Sequence, residues 1–276
     1  MGSSNAGRDV LVTGANSGIG LQTVLELARR GFTAIGSVRS AKKAELVEQA
    51  ATDAGVEVET VLLDVNDEDE CARVMADLDL YGLVNNAGYS NTGAIEDVND
   101  DEVRRQLETM LVAPMRLARL ALPAMRAKAA GRIVNVSSIY GRTTTPLSGW
   151  YQASKHGLEA ATDALRLEVA SAGVKVVLIE PGGFRTGIWE ELQADVDARS
   201  GSPFDASYRR TLSLTKLASP IMGDPGHCAR VIADAVEART PRARYLVGYD
   251  AQALALVQQV TPTFVKDRVL RLFLGL

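Results

Sequence analysis

The sequence predicts an α/β protein: a doubly wound parallel sheet flanked by helices, in one domain. Short apolar runs alternate with helix-patterned stretches along residues 10–247, the spacing of parallel strands joined by crossover helices. The turns that follow those runs carry distinctive residues at Gly14, Val38, Asp64, Asn85, Ser138 and Pro181. A parallel sheet would gather all six on its carboxyl edge, where ligands bind. The length, 276 residues with 46% apolar and 23% charged content, suits one large core.

Composition excludes several functions. A net charge of −4, 5% aromatic content and the lack of a basic run argue against a nucleic-acid surface. Two cysteines, Cys71 and Cys228, give neither a disulfide framework nor a zinc spacing. With only His156 and His227, no histidine metal site is expected, nor a serine–histidine–acid triad. No apolar run approaches the ~20 residues of a membrane span. Strand character begins at Asp9-Val10-Leu11 after a short polar lead, so no signal peptide is expected. Met1-Gly2 would suit myristoylation, but Ala6 stands where serine or threonine is wanted. The cytoplasm is the default compartment.

Residues 10–13 read as a buried strand, followed by Gly14-Ala15-Asn16-Ser17-Gly18-Ile19-Gly20 and an amphipathic helix to about residue 30. Glycines between a strand and a helix allow a tight turn and close backbone approach to a diphosphate facing the helix N-terminus. Gly31 caps that helix, and residues 32–38 form the second strand. A site for NAD ordinarily ends this strand with an acid on the ribose hydroxyls. Here Val38 and Arg39 stand instead: nothing repels a 2′-phosphate, and a guanidinium is available to bind it, which points to NADP(H).

A helix over 41–54 leads to a third strand, 58–63, ending at Asp64-Val65, where the carboxylate either accepts from an adenine amino group or caps the next helix. The fourth strand, 80–84, ends in Asn85-Asn86-Ala87-Gly88. Asn99 with Glu102 forms a capping box for a long helix that runs past Pro114, with a kink, to about residue 129. The fifth strand, 132–138, ends in Ser137-Ser138, and the sixth, 174–179, ends in Glu180-Pro181-Gly182-Gly183. Residues 225–238 read as a helix and 243–247 as a last strand.

The chemistry concentrates in residues 134–155, where a helix from about Ser148 carries Tyr151 and Lys155 four apart, on one face. A phenol with a pKa near ~10 is a poor acid–base at neutral pH. An ammonium at ~4 Å in an effective dielectric of ~20 supplies roughly 4 kcal/mol, about three pKa units, toward the phenolate. Ser138, thirteen residues before Tyr151, would hold a substrate oxygen beside the phenol.

Taken together, TGANSGIG at 13–20, Arg39, Asp64, NNAG at 85–88, Ser138 with Tyr151-x-x-x-Lys155, and Pro181-Gly182 resemble the short-chain dehydrogenase/reductase family in its single-domain form. The resemblance covers about 9–248, and the tail resembles the bacterial branch similar to hydroxysteroid dehydrogenases. It implies a Rossmann-type domain over 8–249 with a helical lid at about 186–224, then a C-terminal helical tail over 250–276. By resemblance, Tyr151 is the acid–base, Ser138 polarises the carbonyl oxygen, and Lys155 binds the nicotinamide ribose. Gly14, Asn16, Ser17, Gly18, Ile19 and Gly20 hold the diphosphate. Arg39, Asp64, Val65, Asn86, Ala87, Gly88, Pro181, Gly182 and Thr186 complete the NADP(H) site. The implied reaction interconverts a secondary alcohol and a ketone on a fairly apolar, steroid-like substrate.

The family's fourth catalytic residue is an asparagine thirteen positions before a helix-ending proline; counting back from Pro123 gives Met110. The rival expectation is therefore a cofactor-binding regulatory or scaffolding protein with impaired catalysis. Pro114 lacks an N–H, however, so the carbonyl of Met110 has no donor four residues on and is available to a water.

Trp189, Leu192, Phe204 and Leu212 suggest an apolar cover within the lid. In the tail, Val265, Val269, Leu272, Phe273 and Leu276 form one stripe, expected to pack on its own or a partner subunit rather than on a membrane. Alanines 153, 160, 161 and 164 would let a second helix approach the Tyr–Lys helix, and the family resemblance implies a homodimer or homotetramer.

Overall fold

The computed structural model describes residues 5–186 and 188–276, except for the side chains at 188–191 and 259. Seven strands form one parallel sheet: β1 (Asp9–Thr13), β2 (Thr33–Val38), β3 (Glu59–Leu62), β4 (Gly82–Asn85), β5 (Gly131–Val136), β6 (Val174–Pro181) and β7 (Arg244–Val247). Their order is β3-β2-β1-β4-β5-β6-β7. The chain therefore winds outward from β1 to β3, returns, and winds the other way from β4. The carboxyl ends of β1 and β4 diverge into a crevice at that switch point.

Both faces are covered, as the near-continuous apolar strands require. Val10 and Val12 point to the face packed by α1 (Gly18–Arg29), α2 (Ala41–Ala54) and α9 (Pro225–Glu237). Leu11, Leu83 and Ile133 point to the other, covered by α3 (Glu68–Ala76) and α5 (Ala113–Ala127), with Leu165 of α6 (Gly149–Glu168) against its edge. Helix α3 is an element the sequence reading passed over; Asp67 caps it by accepting from the Glu70 N–H.

The long helix runs on through Pro114 as expected, but a π turn divides it. Asn99 and Glu102 form the expected capping box on α4 (Asp100–Leu107). A π turn, Glu108–Val112, follows, and the Ala113 N–H reaches back five residues to the Glu108 carbonyl. Pro114 then sits in the first turn of α5, directly after the π turn.

The lid segment folds as α7 (Ile188–Ala198) and α8 (Asp205–Ala218). Leu192, Val196, Tyr208 and Leu212 close a small separate core with Ala94 and Leu147. The Tyr208 hydroxyl accepts from the Ala94 N–H and donates to Asp97, both at 2.6 Å. The side chain of Trp189 lies outside the described residues.

The tail is α10 (Tyr249–Val260) and α11 (Thr263–Leu274). Its stripe does not pack on its own subunit, which corrects that part of the expectation. Leu274 and the half-buried Leu270 face inward. Val265, Val269 and Leu272, half a turn round the helix, are exposed.

Candidate active site

The glycine turn between β1 and α1 is shaped by close packing. Gly14 and Gly18 have φ of +67° and +54°, conformations that tax any side chain. A Cβ on Gly20 would stand 2.3 Å from the Gly14 carbonyl oxygen, so only glycine lets α1 start this close to the strand. The turn is held from β4: Asn86 donates its side-chain amide to the Thr13 carbonyl at 2.9 Å, and the N–H groups of Asn86 and Ala87 both reach the Thr13 hydroxyl. Asn86 thus spends its side-chain nitrogen on the protein, holding the turn in place.

Among the described residues no side chain caps α1, and its first turn holds no acid. Its leading N–H groups, around Asn16, Ser17, Gly18 and Ile19, are open to an anion. Thr186 stands at the same place: a Cβ on Gly18 would be 3.0 Å from its methyl. Among the described residues, the Ser37 hydroxyl at the end of β2 is buried without a hydrogen-bond partner, and the exposed Arg39 has no ion pair. The Asp64 carboxylate accepts from the Asn66 N–H at 3.0 Å, and Asp67 rather than Asp64 caps α3. Val65 is buried beside it and its carbonyl accepts from Arg116. An uncapped helix start, an unpartnered buried hydroxyl and an unpaired guanidinium along one edge fit a dinucleotide.

Across the crevice, α6 presents Tyr151 and Lys155 one turn apart. Lys155 is 5% exposed; its Nζ donates to the Val136 carbonyl at 2.9 Å and lies 5.9 Å from the centre of the Tyr151 ring. Burial pushes the ammonium pKa down to about 8, opposed by Glu159 one turn further along α6. Ser138, extended at the end of β5, accepts from the Tyr140 N–H at 3.2 Å. Tyr140 sets its ring edge-on to Tyr151 with centroids 6.3 Å apart. The Ser138 O–H is left to donate outward.

Met110 lies buried between these halves. Its Sδ is 3.8 Å from Ser154 Oγ in α6, and a Cβ on Gly88 would be 3.2 Å from its methyl. The side chain fills the space under Gly88 rather than offering a polar group.

Several supporting contacts are not readable from any motif. Asn85 donates to Asn135 at 2.8 Å and Asn135 to Thr162 at 2.8 Å, a buried chain tying β4, β5 and α6 together. Glu180, fully buried just before Pro181, pairs with Arg142 at 2.7 Å and Arg244 at 3.1 Å. Burial and Glu159 push its pKa up, to about 7, against the pull of both arginines. The Pro181-Gly182-Gly183 turn is held from the tail, where Asp250 accepts from the Gly183 N–H. The polar character of Asn135 and Glu180 inside strands was the available signal.

Residues 8–197 match the family model described as short chain dehydrogenase. Mouse retinol dehydrogenase 16 is 33% identical over 95% of this chain and 87% of its own length. The uncharacterized oxidoreductase YusZ of Bacillus subtilis is 32% identical, covering 95% of this chain and 96% of its own. Among solved structures, a short-chain dehydrogenase from Streptomyces avermitilis superposes with a TM-score of 0.78 at 29% identity, over 97% of this chain and 96% of that one. A variant of actinorhodin polyketide ketoreductase with NADPH also gives 0.78, at 28% identity, over 92% and 99%.

Proposed function

The chain belongs to the short-chain dehydrogenase/reductase family of oxidoreductases, and from that premise we propose that it interconverts a secondary alcohol and a ketone with NADP(H), on a fairly apolar substrate. The observation that carries the reading is the buried Lys155 between the end of β5 and the Tyr151 ring, with the Ser138 hydroxyl on the same sheet edge.

When bound, the nicotinamide cofactor supplies or accepts the hydride. The chain's own residues handle the oxygen and its proton. Tyr151 gives a proton to the carbonyl oxygen on reduction and takes it back on oxidation. Lys155, held by Val136, favours the phenolate that results, and Ser138 donates to the same oxygen. The uncapped start of α1 would hold the diphosphate; Thr186, beside Gly18, would hold the carboxamide.

NADP(H) rather than NAD(H) rests on the unpaired, exposed Arg39 and the lack of an acid at the end of β2. The NADPH named with the polyketide ketoreductase agrees with this. An apolar substrate rests on the lid, whose Leu192, Val196 and Leu212 pack around Ala94 and Leu147, and on relatives named for retinol, an apolar alcohol. A homo-oligomer through α5 and α6 suits the shallow groove lined by Ala118, Ala161 and Ala164. The test is NADPH oxidation against a panel of ketones. Bulky apolar ketones, sterols included, should exceed small ones such as acetone in kcat/KM; the reverse order would refute the substrate class. A chain that binds NADPH without turning over any ketone would support the impaired, regulatory rival.

A further inference from the structure

We propose that the C-terminal helix pair docks this protein peripherally on the surface of an anionic lipid bilayer. Helices α10 and α11 are inside-out. On α10 only Ala251 and Ala255 are buried, whereas Tyr249, Leu256 and Val260, on the opposite face, are 91%, 63% and 70% exposed. On α11 the inner face is Leu270 and Leu274, with the half-buried Lys266 at its margin, while Val265, Val269, Leu272 and Phe273 look outward. Most of the exposed large apolar side chains among the described residues lie on these two helices, and such a patch marks an interaction site.

Charge decides what covers it. At 100° per residue, Arg268, with Arg271 behind it, stands on one edge of the outward stripe of α11; on the other edge, beside Phe273, stands Lys266, whose Nζ reaches Gln258 of α10. The one acid of the helix, Asp267, lies further from the stripe, where it lines the groove between α11 and α6 together with Arg271 and Lys266. Next to Gly275, α8 adds the guanidinium of Arg210. A second copy of this chain laid on the stripe would set cation against cation: antiparallel, Arg268 meets Arg268, and parallel, it meets Lys266. Neither edge offers an acid to relieve this, so the stripe is poorly complementary to itself. A bilayer with anionic headgroups complements both parts, receiving the apolar side chains below and pairing the flanking cations at headgroup level. No helix of the described residues is long and apolar enough to cross a membrane, so the contact is with the surface.

The test is co-sedimentation of the full chain with vesicles of phosphatidylcholine alone or mixed with phosphatidylglycerol, with sedimentation velocity in parallel. The protein should pellet with the phosphatidylglycerol vesicles, and added salt should release it. Charge reversal by Arg268→Glu with Lys266→Glu should weaken that binding by roughly 100-fold. The double variant Leu272→Ser, Phe273→Ser should stay in the supernatant while keeping the parent's melting temperature, sedimentation coefficient and turnover of a water-soluble ketone. Equal pelleting with neutral vesicles, or none with anionic ones, would overturn the proposal. So would a double variant that sediments as a smaller oligomer, because the stripe would then be an interface between copies.

Discussion

Asp250, the second residue of α10, accepts a hydrogen bond from the Gly183 N–H at 2.6 Å. Its carboxylate fills the space left by three glycines: a Cβ on Gly182 or Gly248 would stand within 2.4 Å of it. The tail is thereby fastened to the turn that follows Pro181 on the sheet's ligand edge. A hydrogen bond to a charged group is worth ~1.5–3 kcal/mol, so Asp250→Ala should destabilise the fold by about that much and, by freeing the turn, weaken NADPH binding. A fluorescence titration giving the parent's Kd would show that the turn holds its shape without the tail.

Tyr151→Phe keeps the ring against Tyr140 and removes the proton. Turnover should fall by ~10²-fold or more while the Kd for NADPH barely changes. Near-normal kcat in this variant would place the acid elsewhere.

The buried ammonium has a signature in stability. The pKa of Lys155 is lowered from 10.5 to about 8 on folding, chiefly by burial. Below pH 8 both states hold the proton, and the fold carries an ammonium away from water. Between 8 and 10.5 the unfolded chain holds it and the folded chain does not, so stability rises with pH there. Measured by urea denaturation from pH 8 to 10, the parent should gain on Lys155→Met by about 2 kcal/mol. A constant difference would mean that the lysine titrates normally.

Cofactor choice tests Arg39. NADPH should exceed NADH in kcat/KM by roughly 10- to 150-fold, the worth of one charge-assisted contact to a phosphate. Val38 is buried in the core, so an acid there would disturb packing as well as specificity. Arg39→Ala, at an exposed position, is the clean variant and should abolish most of the preference. Parity between the cofactors in the parent protein would remove the case for the 2′-phosphate.

The parts legible in the sequence were those in which one residue type has one physical reason. Alternating apolar runs gave the sheet, and Gly14, Gly18 and Gly20 marked a turn that tolerates no Cβ. Asn99 and Glu102 showed their capping box at the correct spacing. Long-range partners were not legible. Nothing near Asp250 in sequence names Gly183, 67 residues away, and nothing near Glu180 names Arg142 and Arg244. The stripe of α11 was visible as a stripe, but periodicity does not say whether an apolar face looks in or out.

Met110 is where sequence and geometry must be combined. Its side chain is buried against Ser154 and under Gly88, and a thioether is a poor partner for water. By family resemblance the asparagine that usually stands here helps hold a water leading from the active-site lysine to solvent. The backbone offers a substitute. Met110 lies in the π turn, and Pro114, four residues on, has no N–H to give its carbonyl. A carbonyl without that donor can bind a water whatever side chain the residue carries. The expected result is an enzyme active as it stands, in which Met110→Asn raises kcat by less than ~10-fold, under ~1.4 kcal/mol. Pro114→Ala should cost more than that, because the restored N–H would compete for the same carbonyl and favour closing the π turn into a regular helix. Single-turnover kinetics on the two variants separate the possibilities. A chain with no turnover until Met110→Asn is made would show that the carbonyl does not serve, and that this member of the family had lost its proton path.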